Sequence, residues 1–334
     1  MIKSGLIYLI DNIRWLGWLI ILAVFLIVLP YLVAKYQVDV LIMLLINIIL
    51  VVSFRLITTT GGWSLAHVPM MGCGAYATAL LTAGLGFPFW FSLPLSGLAA
   101  ALAALIISYP LARTRGFAFF VASFAAGDSL RLCWTRFKVP FGGHKGLTNI
   151  PVPEFFSGVD LSEPMPYYFL TLVLTIICLA VMYRLDKSRI GHTWKAIDMN
   201  EDLSRSLGIN VTFYKILAFV IGSFFAGVAG VLLAHRLWAV VPAQFGFVTT
   251  LYLLVWVVFG GTRTFAGAIL GVVMLTFLRE VLKPFLEWVP MIFGAIIILT
   301  LIFFPEGLEG LPRRFSPWLS RQRLISELEG QTRS

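Results

Sequence analysis

The feature that most constrains this chain is the length of its uninterrupted apolar runs. A helix crossing a hydrocarbon layer about 30 Å thick needs roughly 20 mostly apolar residues. Runs on that scale recur at 15–33, 38–56, 87–109, 167–182, 216–234, 247–259 and 289–304. They are continuously apolar, which predicts helices rather than the alternating strands of a membrane barrel. Weaker runs at 67–83, 116–134 and 265–281 carry small or ionisable residues, as helices inside a bundle often do. The expected fold is therefore an all-α integral membrane protein, a bundle of about ten transmembrane helices. Composition agrees, because only 12% of the residues are charged, against about a quarter in soluble proteins. The first run is too long for a signal peptide and is expected to remain as a span.

Lys and Arg gather on cytoplasmic loops of membrane proteins. A first span that starts inside puts Arg55, Arg184, Lys187, Arg189, Lys195, Arg205, Lys215, Arg263 and Arg313 at the cytoplasmic side. The N and C termini are then both cytoplasmic. The transmembrane domain spans 1–314, with an external loop at 135–165 and a polar cytoplasmic tail at 315–334. The net charge of +9 reads as positive-inside bias, and nucleic-acid binding is not suggested.

Enzymatic chemistry finds no support. His67, His144, His192 and His235 are scattered, and the chain holds neither a metal-ligand pair of the HExxH type nor a phosphate-cradling GxxxxGK[ST] loop. Cys73, Cys133 and Cys178 lie in or beside apolar runs and suggest neither disulfide nor metal. The chain is expected to bind no metal and no cofactor, so any use of ATP belongs to partner subunits.

One stretch breaks the apolar pattern: RIGHTWKAIDMNEDLSRSLGIN, residues 189–210, within a cytoplasmic loop spanning 185–213. Asn200 can cap a short helix, Glu201 and Asp202 suit its positively polarised first turn, and Gly208 suits the residue just past its end. Trp194, Ile197, Leu203 and Leu207 form an apolar stripe among charges. Such a helix can rest on lipid headgroups or dock in a groove on a soluble partner.

Here the residues resemble a known family. The segment KAIDMNEDLSRSLGINVTFYKILAF is similar to the coupling segment of permease subunits of branched-chain amino acid type ABC importers (LivM-like). Ala196, Ile197, Asn200, Glu201, Leu207, Gly208, Ile209, Asn210, Lys215, Leu217, Ala218 and Phe219 match, while Leu203-Ser204-Arg205-Ser206 replaces an alanine-rich turn. The resemblance extends over about residues 50–314. GWSLAHVPMMGCGAYATALL matches through Gly62, Ser64, Gly72, Gly74, Ala75 and Tyr76, and RGFAFFVASFAAGDSLRLCW through Asp128 and Arg131. GGHKGLTNIP, VFGGTRTFAGAILG and PEGLEGLPRR follow in order.

The resemblance implies an importer permease that moves branched-chain amino acids or a related small solute by alternating access. It implies a second homologous permease forming a heterodimer, two cytoplasmic ATPase subunits, an extracytoplasmic solute-binding protein and the lipid of a prokaryotic cell membrane. Trp194, Ile197, Glu201, Asp202, Leu203, Leu207 and Gly208 would then transmit force from the ATPases. Candidate walls of a solute path are a broken third span carrying His67, Gly72, Gly74 and Tyr76, and the segment with Gly260, Gly261 and Gly267. Asp128 and Arg131, at i and i+3, are expected to pair within the membrane. The alternative class is a transporter or channel driven by an ion gradient, which would need a chain of intramembrane acids.

Overall fold

The computed structural model describes residues 25–111, 114, 116–153, 160–303 and 307–308. Most of the first expected span, the 315–334 tail, both termini, and Arg113, Arg115 and Arg313 lie outside the described residues. The described chain is almost wholly helical. Its membrane-scale helices are α1 (Lys35–Thr58), α2 (His67–Ala79, continuing as a wider turn over Leu80–Gly84), α3 (Phe89–Leu111) and α4 (Phe117–Arg136). After these come α5 (Pro164–Asp186), two short helices α6 (Arg189–Met199) and α7 (Glu201–Ser206), and then α8 (Val211–Leu237). The last are α9 (Phe247–Gly260), α10 (Phe265–Val281) and α11 (Val289–Phe303). Among the described residues, six helices are long and apolar enough to cross a membrane.

Burial orders these helices around a centre. α1 is 83% buried over its most apolar window and α8 67%, whereas α4 is only 17% buried. Between apolar helices in lipid there is little hydrophobic drive, so close approach through small residues carries the packing. α8 supplies the small residues. A side-chain carbon added at Gly222 would meet the Ser53 carbonyl oxygen of α1 at 2.9 Å, and one at Gly227 would meet Ala100 of α3 at 2.6 Å. Gly74 of α2 sits directly on the backbone of Gly227, and Gly230 on the Met71 carbonyl.

That packing corrects one expectation. The third span is unbroken between His67 and Tyr76, because its glycines serve close crossings and the intrahelical hydrogen bonds continue through them. Between α9 and α10 the chain turns at Gly261, which adopts a positive φ of 99°, and Thr264 caps α10 by accepting from the Gly267 amide at 3.0 Å.

Loops at one end of the bundle are tied to α8. A two-residue ladder pairs β1 (Leu147–Thr148) antiparallel to β2 (Ala239–Val240), joining the loop after α4 to the chain leaving α8. At the same end Arg236 pairs with Asp39, and His235 lies 2.9 Å from the Pro151 carbonyl. The stretch 189–210 lies at the other end.

Candidate functional site

The charged stretch folds into two helices with different duties. Ser188 caps α6, and Gly191 lies against the carbonyls of Leu185 and Asp186 at the foot of α5, leaving no space for a side chain. Trp194 is fully buried, and its indole Nε1 donates to the Tyr214 carbonyl in the first turn of α8 at 3.0 Å. Ile197 is buried beside it, and Lys195 donates to Asp186 Oδ2 at 3.0 Å. α6 is thus bolted to the bundle.

Asn200 ends α6 in an extended conformation (φ −160°, ψ 105°) and starts α7, its side-chain oxygen accepting from the Leu203 amide at 2.9 Å. The expected apolar stripe is therefore divided. Trp194 and Ile197 face inward, whereas Leu203 and Leu207 are 56% and 73% exposed and Met199 is 87% exposed. Ser204 is the buried residue of α7, its hydroxyl donating to the carbonyls of Asn200 (2.9 Å) and Ala196 (3.2 Å). Within the turn that departs from the alanine-rich pattern, this serine is what fastens α7 to α6.

Glu201 accepts from Arg205 at 2.7 Å and from Lys215 of α8 at 2.6 Å. Asp202 is exposed. Gly208 ends the element at φ +84° with open space around it, a conformation that glycine adopts without steric cost. A small open cleft lies between Glu201, Arg205 and Lys215 on one side and Thr60, Ser108 and Phe119 on the other. Partial burial pushes the Asp198 carboxyl above its ordinary value, a rise opposed by the positive charges of Arg263 and Lys215.

The remaining candidate residues fall at separate crossings. His67 is buried, with Nε2 2.9 Å from Ser53 Oγ and 3.2 Å from the Leu50 carbonyl. Gly72 leaves room for Trp134, which an added carbon would meet at 2.6 Å, and Trp134 stacks on Tyr76 at 4.8 Å between centroids. Among the described residues, the buried His67 Nδ1 and Tyr76 hydroxyl have no hydrogen-bond partner. Gly260 sits on Gly267 and Gly271 where α9 meets α10, and Gly261 lies against Gly307. Asp128 and Arg131 pair at 2.6 Å on a partly exposed face of α4. Among the described residues, no group of three or more His, Cys, Asp or Glu could hold a metal.

Sequence reasoning passed over the buried pair of Arg55 and Asp186, 3.2 Å apart with side chains 1% and 6% exposed. A signal was present. Arg55 closes an unbroken apolar run, and a charge placed there requires a partner.

Comparison with known proteins bears on this arrangement. The family model described as "Branched-chain amino acid transport system / permease component" matches residues 36–304. The chain belongs to this family. It is 31% identical over 307 residues to the high-affinity branched-chain amino acid transport system permease protein LivM of Salmonella typhimurium, covering 85% of this chain and 72% of the relative. LivM of Escherichia coli is 30% identical over 320 residues, covering 89% and 75%. LivH of Salmonella typhimurium is 28% identical over 179 residues, covering 50% and 58%. No solved structure gives a significant match. The chain is accordingly a multi-pass membrane permease component of a transport system of the ABC type, and not an enzyme.

Proposed function

We propose that this chain forms one half of the membrane pore of an ATP-driven importer in a prokaryotic cell membrane, admitting branched-chain amino acids or a related small solute. The observation that carries the reading is the split corner, a buried root (Trp194, Ile197) and an exposed tip (Met199, Leu203, Leu207). An apolar tip on a capped helix, standing beside a cleft, suits a groove on a soluble partner. On this reading α6 and α7 form the coupling element of residues 185–213, and two cytoplasmic ATPase subunits close on ATP and push it. Ten spans place both termini in the cytoplasm and the 135–165 loop outside, where a solute-binding protein delivers cargo.

The second half of the pore is a homologous permease, in keeping with the likeness to both LivM and LivH. Access alternates as the two halves rock. His67, Gly72, Gly74 and Tyr76, together with Gly260, Gly261 and Gly267, border the solute path. The unpartnered His67 Nδ1 and Tyr76 hydroxyl support this role, since buried polar groups normally find partners. ATP is bound by the partner subunits and not by this chain.

Reconstitution in vesicles tests the proposal. Uptake should require the second permease, both ATPases, ATP and the binding protein. Uptake by this chain alone, driven by an ion gradient and indifferent to ATP, would overturn it.

A further inference from the structure

Beneath the corner lies one carboxylate shared by two cations. Asp186 is the last residue of α5. Its Oδ1 accepts from Arg55 Nη1 of α1 at 3.2 Å, and its Oδ2 accepts from Lys195 Nζ of α6 at 3.0 Å. The other two guanidinium nitrogens of Arg55 are engaged as well. Nε donates to the Thr262 carbonyl at 3.0 Å and Nη2 to the Arg263 carbonyl at 3.0 Å, both in the turn that opens α10. The guanidinium also lies 5.7 Å from the Phe265 ring centroid. A single buried carboxylate therefore joins α1, α5, α6 and the α9–α10 turn.

Burial gives this joint its stiffness. Separating Arg55 from Asp186 would strand an uncompensated charge away from water, which is strongly unfavourable, so the pair moves as a unit. The Lys195 arm differs, being 33% exposed along its side chain and therefore replaceable without stranding a deeply buried ion. It leaves α6 between the anchored Trp194 and the Asn200 break, next to the point where a push on α7 would arrive.

We infer that Asp186 is a positioning residue for coupling: through Lys195 it receives displacement of the α6–α7 corner, and through Arg55 it passes that displacement to α1 and to the Thr262–Arg263 turn. This rests on the docking role proposed for α7.

The test uses the assembled transporter in lipid nanodiscs and vesicles, with both permeases, both ATPases and the binding protein. Lys195→Met removes the arm and leaves the Arg55–Asp186 pair whole. Assembly and ATP hydrolysis should persist while solute imported per ATP falls about tenfold, within the range found for coupling between sites. Lys195→Arg, which keeps the charge and the reach, should restore the ratio. An unchanged ratio in Lys195→Met would overturn the inference, as would loss of assembly, which makes the arm a structural tie only. Leu207→Asp is measured in parallel. Full retention of ATPase binding in that variant would count against the docking role, independently of the Lys195 ratio.

Discussion

Leu207→Asp separates folding from docking with a magnitude that can be worked from the structure. The side chain is 73% exposed at the end of α7, with open space around the neighbouring Gly208. Replacing it should therefore alter the stability of the isolated permease by no more than about 0.5 kcal/mol, as for ordinary surface changes. Against the proposed ATPase groove the expected outcome differs. Burying a leucine side chain is worth about 1.5–3 kcal/mol, and the exposed share still to be buried brings this to about 1–2 kcal/mol. A carboxylate left unpaired in that groove costs about 1–3 kcal/mol more. The sum, about 2–5 kcal/mol, weakens binding by roughly 30-fold or more. The assay is the affinity of purified ATPase subunits for nanodisc-embedded permease, read beside its melting temperature. Unchanged affinity at unchanged melting temperature would refute the reasoning. A parallel loss of both would move Leu207 from tip to core.

Other perturbations probe the root and the crossings. Trp194→Ala removes a fully buried indole and its hydrogen bond to Tyr214, and should destabilise the corner by about 3–5 kcal/mol, seen as earlier protease cleavage between α5 and α8. Gly74→Ala forces a methyl group onto the Gly227 backbone and should cost about 1–3 kcal/mol of thermal stability, whereas an unchanged melting temperature would indicate open space at that crossing. Gly208→Pro demands a negative φ where the chain has +84° and removes the amide that donates to Arg205 at 2.9 Å; uptake should fail while membrane insertion, scored by fractionation, continues. The raised Asp198 carboxyl means its charged form is disfavoured in the fold, so its contribution is fully present in acid and lost as pH climbs through the folded value. Asp198→Asn should thus melt higher than the parent at neutral pH, with the gap closing on acidification.

The helical, membrane-crossing character was legible because run length against bilayer thickness leaves few alternatives, with six of the described helices long and apolar enough to cross and α10, Phe265–Val281, coinciding with its apolar run. The caps of α7 were legible as well, since both act locally, Asn200 through its side-chain oxygen and Gly208 through its positive φ. What periodicity could not supply was the direction of each apolar side chain across a break. The stripe from Trp194 to Leu207 looks continuous only if one helix carries it, and the extended backbone at Asn200 sends its two halves to opposite sides. Nor could local pattern pair Arg55 with Asp186, or Asp39 with Arg236, because the partners lie on helices far apart in sequence. The glycines gave a similar ambiguity. Gly72 and Gly74 fit either a close crossing or a break, and the residues opposite them, Trp134 and Gly227, identify the crossing.

α8 begins at the Asn210 cap, beside the Trp194 anchor, and ends among Arg236, β2 and the loop that carries β1. Its 27 residues form one unbroken helix, a strut about 40 Å long at the usual rise per residue. The glycines along it hold it flush against three neighbours. The Trp194 corner at one end of the bundle and the β1–β2 loops at the other consequently stand on opposite tips of one continuous helix.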